Sequence, residues 1–295
     1  MSAKGQMENG SELINRVQSR ALLSNCGGNL MEFSRQDVQW EWMGMTVRRM
    51  IPGELWTAFW PGEEAAFVLL SGVCVADWGE GPQRIGGRKD VFDGLPYTVY
   101  GAAGAPVSFR CEAVTEIAVC HVPSESRTSS QLVTPDDVKI SLRGGGNASR
   151  QIVDILPPSF PADRLMVIEV YTPGGNWSSY PPHKHEVHNP PAEVDLDEIY
   201  YFRLKHKEAF AHQRLYSSDG ERDRLLTVRD GDAVLVRDGY HPVVAGPGYD
   251  TYYLNFLAGS ARLLAATEDP RHVWIRSEWK EFDPRLPLVS GGSES

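Results

Sequence analysis

The chain has 295 residues, of which 41% are hydrophobic and 23% are charged, and its formal net charge at pH 7 is −10. This length suits one large domain or two ordinary ones, and the negative charge argues against a nucleic-acid partner. No apolar run is long enough to span a bilayer, and the first thirty residues contain no signal-peptide core. We therefore expect a cytoplasmic protein that binds neither nucleic acid nor membranes.

The first 130 residues divide into a lead-in and a region of short strands. Residues 1–30 are polar and predict a flexible N-terminal lead-in, with one amphipathic piece at Ser11–Leu23. From 31 to 130 the sequence consists of short apolar runs that glycine and proline interrupt, and helical periodicity is absent. This pattern is typical of an all-β fold. The four cysteines have no metal-site or disulfide spacing, so we interpret them as structural thiols.

A second all-β unit follows the first. Residues 124–137 are polar and rich in helix breakers, which predicts a linker between two units. The second unit, 131–282, again consists of short strand-like runs. It ends in HVWIRSEWKEF, which we predict to be a short helix or a segment that packs against the unit. Residues 283–295 predict a frayed tail. Two successive units of similar size indicate an internal duplication, and only the second contains an H-x-H pair.

The second unit carries a candidate metal site. His183 and His185 are two residues apart, so on an extended strand they point to the same side. Glu198 and His241 from neighbouring strands could complete a shell around one divalent ion. Two alternatives stay open: the histidine pair could face solvent in a polar loop, and His241 could be a turn residue bonded to backbone.

Strand alternation separates Glu198 from the other nearby acids. Residues 196, 198, 200, 202 and 204 share one face, on which Glu198 is the only charge. A buried carboxylate must be paired or bind a metal, and Arg203 lies on the opposite face. The remaining acidic and imidazole side chains of this segment are predicted to be solvated; they are Glu186, Glu193, Asp195, Asp197 and His188.

Several long strings of the sequence resemble one known family. They are NWSSYPPHKH (176–185), DEIYYFR (197–203), QRLY (213–216), GYHPVVAGPGYD (239–250) and YYLNFLAG (252–259). The H-x-H, Glu and His pattern over antiparallel strands is similar to the cupins, but twelve residues separate His185 from Glu198, and Arg237 stands where cupins have proline. These departures fit the 5-deoxy-glucuronate isomerase family of myo-inositol catabolism. The resemblance covers nearly the whole chain beyond the first thirty or so residues.

The resemblance implies a bicupin, two consecutive double-stranded β-helix barrels, whose first cupin is degenerate and lacks a metal. It implies a metal-dependent aldose-ketose isomerase that converts 5-deoxy-D-glucuronate to 5-dehydro-2-deoxy-D-gluconate, with His183, His185, Glu198 and His241 holding one divalent ion. Zinc is favoured, and manganese or iron would also suit the ligands. Exposed edge strands on a bicupin favour a homo-oligomer.

Three other functions fit the same ligand set. They are a 4-deoxy-5-keto-hexuronate ketol-isomerase of pectin breakdown, which shares the superfamily, an iron oxygenase of the cupin class, and a non-catalytic sugar-binding cupin. An oxygenase would consume oxygen, and a binding protein would not exchange solvent deuterium into its ligand.

The implied substrate is a sugar acid, so an acidic protein needs a local cation to bind its carboxylate. Arginine suits this role because its planar fork bonds both carboxylate oxygens. The candidates for binding the substrate are Arg214, Arg143, Arg150 and Lys184. Lys184 is the weaker choice because it alternates with the metal-ligand histidines. The candidates for the catalytic proton transfer are Tyr201, Tyr216 and Tyr253, and a metal-bound water is a further candidate.

Overall fold

The computed structural model describes residues 16–19 and 26–291 of the chain. The first strand in the chain is β1 (Arg16–Val17), which pairs with the C-terminal half. The strands of the N-terminal half are β2 (Gly28–Phe33), β3 (Gly44–Met50), β4 (Leu55–Ala58), β5 (Glu63–Ser71), β6 (Val73–Asp77), β7 (Gln83–Gly86), β8 (Thr98–Gly101), β9 (Val107–Cys111), β10 (Thr115–Pro123) and β11 (Gln131–Val133). They form a six-stranded sheet, β11-β8-β5-β10-β3-β2, and a four-stranded sheet, β4-β9-β6-β7. Only β1 belongs elsewhere.

The C-terminal half repeats this arrangement. Its strands are β12 (Lys139–Arg143), β13 (Arg150–Leu156), β14 (Met166–Thr172), β15 (Trp177–Ser178), β16 (His183–Lys184), β17 (Leu196–Leu204), β18 (Ala211–Tyr216), β19 (Asp223–Val228), β20 (Ala233–Val236), β21 (Val243–Ala245), β22 (Thr251–Gly259) and β23 (Thr267–Glu268). The larger sheet runs β1-β20-β17-β22-β14-β13-β12, the smaller β15-β21-β18-β19, and β16 pairs with β23. Two 3-10 helices, Gly146–Ala148 and Val273–Glu278, are the only helices among the described residues.

The all-β prediction is confirmed, and the long central strands show why their sequences are apolar on both faces. All nine residues of β22 are buried. One face of the larger C-terminal sheet packs in a core that also contains side chains of β3, β5 and β10, and its members include Tyr201, Leu254 and Phe256. The other face, with Tyr200, Phe202 and Tyr253, packs in a separate core of the C-terminal half. Both faces are therefore covered, as in a two-layered β protein.

Buried ion pairs join the two halves across that shared core. Arg88, between β7 and β8, donates to Glu169 on β14 at 2.8 Å, and both side chains are almost fully buried. Glu116 on β10 accepts from Arg203 on β17 at 2.8 Å, as well as from Arg49 within its own half. These contacts satisfy carboxylates that would otherwise be costly to bury.

Three structural details lie near the ends of the predicted units. Within the predicted lead-in, Arg16–Val17 pairs with β20; most of the Ser11–Leu23 piece lies outside the described residues. β11 falls beyond the predicted boundary at residue 130, yet it pairs with β8 of the first half. In the predicted frayed tail, Val289 packs in the core shared by the two halves, and the Gln151 side chain bonds backbone atoms of residues 288–289. The predicted short C-terminal helix is confirmed at Val273–Glu278.

Candidate metal centre

The C-terminal half contains a cavity of about 480 Å³ that opens beside β17. Apolar side chains of β13, β14 and β22 line it together with polar and charged groups. The polar lining includes His183, His185, Glu198, Tyr253 and Asn255. A cleft of this volume, in which polar groups converge between apolar side chains, is typical of a small-molecule site.

Two residues that line this cavity, His185 and Glu198, meet a third buried side chain, His241. His185, Glu198 and His241 are 4%, 2% and 0% exposed, and their ligand atoms all lie within 4.8 Å of one another. The Nε2 atom of His185 is 2.9 Å from Oε2 of Glu198, and Nε2 of His241 is 3.3 Å from the same oxygen. Among the described residues this is the one group of three or more such side chains that could hold a metal ion.

The local backbone conformation directs Glu198 and His241 toward each other. Glu198 lies on β17 with its side chain on the cavity face, as strand alternation predicts, and Leu196 and Tyr200 share that face. His241 follows a tight turn in which Gly239 has a φ of +78°. A side chain at Gly239 would also collide with the Tyr216 carbonyl, at 2.6 Å from an added Cβ, so only glycine fits this approach.

Backbone carbonyls fix the protonation of two imidazoles. Nδ1 of His185 lies 2.8 Å from the Leu196 oxygen, and Nδ1 of His241 lies 2.9 Å from the Gly239 oxygen. A carbonyl only accepts, so each Nδ1 carries the proton that it donates. In a neutral ring, Nε2 then has a lone pair directed at the Glu198 carboxylate. Lone pairs and a carboxylate attract each other only through a shared cation, which fits a metal ion with the second-shell arrangement common for histidine ligands.

The pKa shifts show how strongly this group attracts positive charge. Burial raises the pKa of Glu198, but positive charge and hydrogen bonding from the His185 and His241 rings outweigh it and hold the pKa at about 2. Burial lowers the pKa of His185, but the Glu198 carboxylate has the larger combined effect and raises it, so without a metal ion the carboxylate draws a second proton onto that ring. Asn255 donates to the second Glu198 oxygen at 2.5 Å. The carboxylate is thus ionised and fully engaged.

His183 lies next to this group without belonging to it. Its ring centroid is 4.8 Å from that of His241 and 6.2 Å from that of His185. It is half-buried, and β16 anchors it by pairing with Glu268 of β23. Burial lowers the pKa of His183 well below its usual range, and its two imidazole neighbours lower it further. The ring is therefore neutral, the form that binds metals.

The other polar side chains between His185 and Glu198 have contacts that the sequence did not reveal. Glu193, predicted to be a solvated loop charge, is 5% exposed. It accepts hydrogen bonds from Lys184 and from the backbone N–H groups of Glu186 and Val187, which compensate its burial. His188 is exposed, as predicted, and pairs with Asp195.

Of the four predicted substrate-binding cations, two line the cavity and two do not. Arg143 and Arg150 line it. Arg214 lies on β18, is 41% exposed and pairs with Asp223 at 2.6 Å. Lys184 points away from the cavity into an ion pair with Glu186 and Glu193. Carboxylates outside the cavity lining therefore already neutralise both cations.

Of the three predicted catalytic tyrosines, one lines the cavity and two do not. Tyr253 lines the cavity, with its hydroxyl 3.4 Å from Ser179. Tyr201 lies on the opposite face of β17, in the core shared by the two halves. Tyr216 is outside the cavity and donates to Asp269 at 2.7 Å. Strand alternation would have excluded Tyr201 and would have found Tyr200, which lines the cavity and contacts Ser179 at 3.0 Å.

Comparisons with known proteins agree on the class of this chain. A family model described as the KduI/IolB family matches residues 18–275. A 5-deoxy-glucuronate isomerase from Geobacillus thermodenitrificans (strain NG80-2) is 41% identical over 250 residues, covering 84% of this chain and 91% of that protein. One from Bacillus subtilis (strain 168) is 35% identical over 273 residues, covering 92% and 95%.

Solved structures extend the likeness to the fold. An IolB-like protein from Salmonella typhimurium LT2 has a TM-score of 0.84 at 34% identity, over 88% of this chain and 98% of that one. The formate complex of Lactobacillus farciminis oxalate decarboxylase has a TM-score of 0.61 at 13% identity and 92% coverage of both chains, which shows a shared fold alone. Within the described part of the chain, no helix is both long and apolar enough to cross a membrane.

Proposed function

The chain belongs to the KduI/IolB family and is an isomerase of bicupin fold, and from this premise we propose that it converts 5-deoxy-D-glucuronate to 5-dehydro-2-deoxy-D-gluconate in myo-inositol catabolism. Relatives at 41% and 35% identity carry the name of this activity. The observation that carries the proposal is the His185, Glu198 and His241 group at the wall of a sugar-sized cavity.

The proposal includes one divalent ion, held by this group with His183 as a fourth ligand. The donor set of imidazoles and one carboxylate suits zinc best, with manganese or iron as alternatives. When bound, the ion supplies positive charge that stabilises negative charge on the carbonyl and hydroxyl oxygens of the substrate. The chain's own contribution is to hold the proton of His185 and His241 on Nδ1, so that Nε2 faces the ion, and to orient Glu198 through the Asn255 contact.

The reaction moves one proton from the carbon beside the aldehyde and returns one to the aldehyde carbon, through an enediol. Tyr253 is the predicted tyrosine that lies in the cavity. Burial raises the pKa of Tyr253, so its hydroxyl is protonated at neutral pH. In the proposal Tyr253 donates a hydrogen bond to a substrate oxygen that gains negative charge, and Ser179 orients the phenol.

A cytoplasmic location completes the proposal. Cys74, Cys111 and Cys120 are buried free thiols, as is usual in a reducing compartment.

A second candidate is a 4-deoxy-5-keto-hexuronate ketol-isomerase of pectin breakdown. The joint KduI/IolB description of the family is the observation that favours keeping it. The chemistry at the two carbons is the same, so the two candidates differ in which uronate the cavity accepts.

Parallel assays on the two uronates test the proposal. We expect the purified protein to isomerise 5-deoxy-glucuronate with the higher kcat/KM, and its product formed in heavy water to contain carbon-bound deuterium. Glu198→Gln, which keeps the shape of the side chain, is the matched inactive control. Turnover of the pectin-derived uronate alone would transfer the assignment to the second candidate, and turnover of neither would contradict both.

A further inference from the structure

Arg150 is a cavity-lining arginine without a counter-ion among the described residues. It begins β13 and shares the cavity with Glu198. Its Nη1 atom donates to the carbonyl oxygens of Tyr180 at 2.9 Å and Ala148 at 3.3 Å. Its other guanidinium nitrogens make no hydrogen bond to a described residue, and it forms no ion pair within the described part of the chain. A partly desolvated cation in this position is costly unless an anion joins it.

The surroundings of Arg150 are themselves positive. Arg143 is its direct cross-strand neighbour in the β12–β13 pair, lines the same cavity, and likewise has no ion-pair partner among the described residues. Arg276 also lines the cavity, although it pairs with Glu268. Burial lowers the pKa of Arg150, and the charges of Arg143 and Arg276 lower it further. Like charges opposite each other destabilise a sheet, so an anion bound between Arg143 and Arg150 would stabilise this part of the cavity.

The two other cations considered for this role are already occupied. Arg214 is bonded to Asp223 through two nitrogens on the exposed side of β18. Lys184 is held between Glu186 and Glu193. The cavity therefore offers an anion one planar guanidinium with a second beside it. The two carboxylates that line the cavity are engaged elsewhere, Glu198 by His185 and Asn255 and Glu268 by Arg276, and no carboxylate of the described residues pairs with Arg150.

We propose that Arg150, with Arg143 opposite it, forms an anion subsite that binds the carboxylate of the substrate and makes the enzyme select sugar acids over neutral sugars. This inference rests on the proposed function, because it assumes that the reacting end of the same molecule lies at the His185, Glu198 and His241 group. The guanidinium fork bonds both oxygens of a carboxylate, which fixes the orientation of the chain as well as its charge.

Kinetics of Arg150→Gln test the subsite directly. We expect KM for 5-deoxy-glucuronate to rise roughly 10- to 100-fold, the effect of losing a hydrogen-bonded charge pair, with little change in kcat. For the neutral analogue with CH₂OH in place of the carboxylate, KM should be the same in both proteins. Arg214→Gln is the control and should behave as wild type. An unchanged KM for the acid would overturn the inference.

The metal content of Arg150→Gln shows whether Arg150 binds the substrate or supports the metal ligands. Arg150 bonds the Tyr180 carbonyl, just ahead of His183, so the substitution could act through the metal group instead. We expect Arg150→Gln to retain its full metal content. A rise in KM that is accompanied by metal loss would assign Arg150 a structural role and overturn the subsite.

A binding measurement keeps the inference independent of turnover. Calorimetric titration with gluconate and with glucitol compares two open six-carbon chains that differ only in one carboxylate. Wild type should prefer gluconate by roughly 10- to 100-fold, and Arg150→Gln should lose the preference. Equal binding of both probes to wild type, or a preference that survives in the variant, would refute the subsite. A lost preference in a protein that does not turn over 5-deoxy-glucuronate would contradict the proposed function alone.

Discussion

The Nε2 atom of His185 lies 2.9 Å from Oε2 of Glu198, while Nδ1 of the same ring donates to the Leu196 carbonyl. Two acceptors at this separation repel each other unless a cation lies between them or the ring carries a second proton. His241 repeats the arrangement with the Gly239 carbonyl and the same carboxylate oxygen. Two independently placed imidazoles that share one oxygen are better explained by one metal ion than by two extra protons.

Glu198→Gln should remove the metal without unfolding the protein. The amide has the shape of the carboxylate and can still accept from Asn255, but it loses the charge that a divalent ion requires. We expect isomerase activity to fall by more than about 100-fold, since even residues behind the ligands contribute 10- to 100-fold to metal affinity. Metal analysis and circular dichroism of the same sample check this. A variant with full metal content and activity would contradict the assignment of Glu198.

Asn255→Leu should weaken metal binding without abolishing activity. Asn255 donates to Glu198 but is not a ligand, so its loss leaves one carboxylate oxygen unpaired. We expect metal affinity to fall roughly 10- to 100-fold, with kcat recovered at saturating metal. Competition with a chelating indicator measures the affinity. Affinity equal to that of wild type would mean that the Asn255 contact does not support the centre.

Tyr253→Phe should lower kcat, whereas Tyr201→Phe should not. Both tyrosines are about 1% exposed, so the two substitutions remove one buried hydroxyl each. Only Tyr253 lies in the cavity, and a positioned proton donor contributes about 100-fold or more to a rate. Steady-state kinetics of the pair provide the comparison. Equal effects of the two substitutions would remove Tyr253 from the chemistry.

The strand pattern of the sequence was enough to predict part of this site. Alternation along β17 placed Glu198 on the face of Leu196 and Tyr200, and the packing of that strand confirms the alternation. Alternation cannot predict which residues of other strands lie opposite. The register that sets Tyr200 beside Asn255 depends on the pairing of β17 with β22, about fifty residues further along the chain.

The choice among the candidate substrate-binding arginines also depended on strand pairing that the sequence does not reveal. From sequence, Arg150 and Arg214 are both candidates, although Arg150 flanks a glycine-rich turn and Arg214 belongs to a strand-like run. They separate only when the sheets form, because the direction and neighbours of each strand decide whether a side chain meets the cavity or an outer carboxylate such as Asp223. Glu193 was misjudged for a related reason, since its compensating N–H groups come from a loop whose path the sequence does not specify.

Glu116→Gln should destabilise the protein near neutral pH and not in acid. Burial raises the pKa of Glu116, but Arg203 and Arg49 outweigh it and hold the pKa below its usual range. The ionised form is therefore favoured by folding, so its contribution is present above the pKa of the unfolded chain and is lost as pH falls through the folded pKa. We expect a loss of about 1–3 kcal/mol at pH 7.

Chemical denaturation of wild type and Glu116→Gln at several pH values checks this effect. The difference in the free energy of unfolding should shrink on acidification. Glu112→Gln is the control, because its pair with Arg84 is exposed and contributes little. A Glu116→Gln deficit that is independent of pH would show that the charge of Glu116 does not link the two halves.

Metal removal and return tests the central claim most directly. The protein is stripped with a chelator, and isomerase activity on 5-deoxy-glucuronate is followed against bound metal as zinc, manganese or iron(II) is added back. The account predicts that activity is lost with the metal and returns in proportion to it, saturating at one ion per chain. Full activity in the metal-free protein would contradict the account.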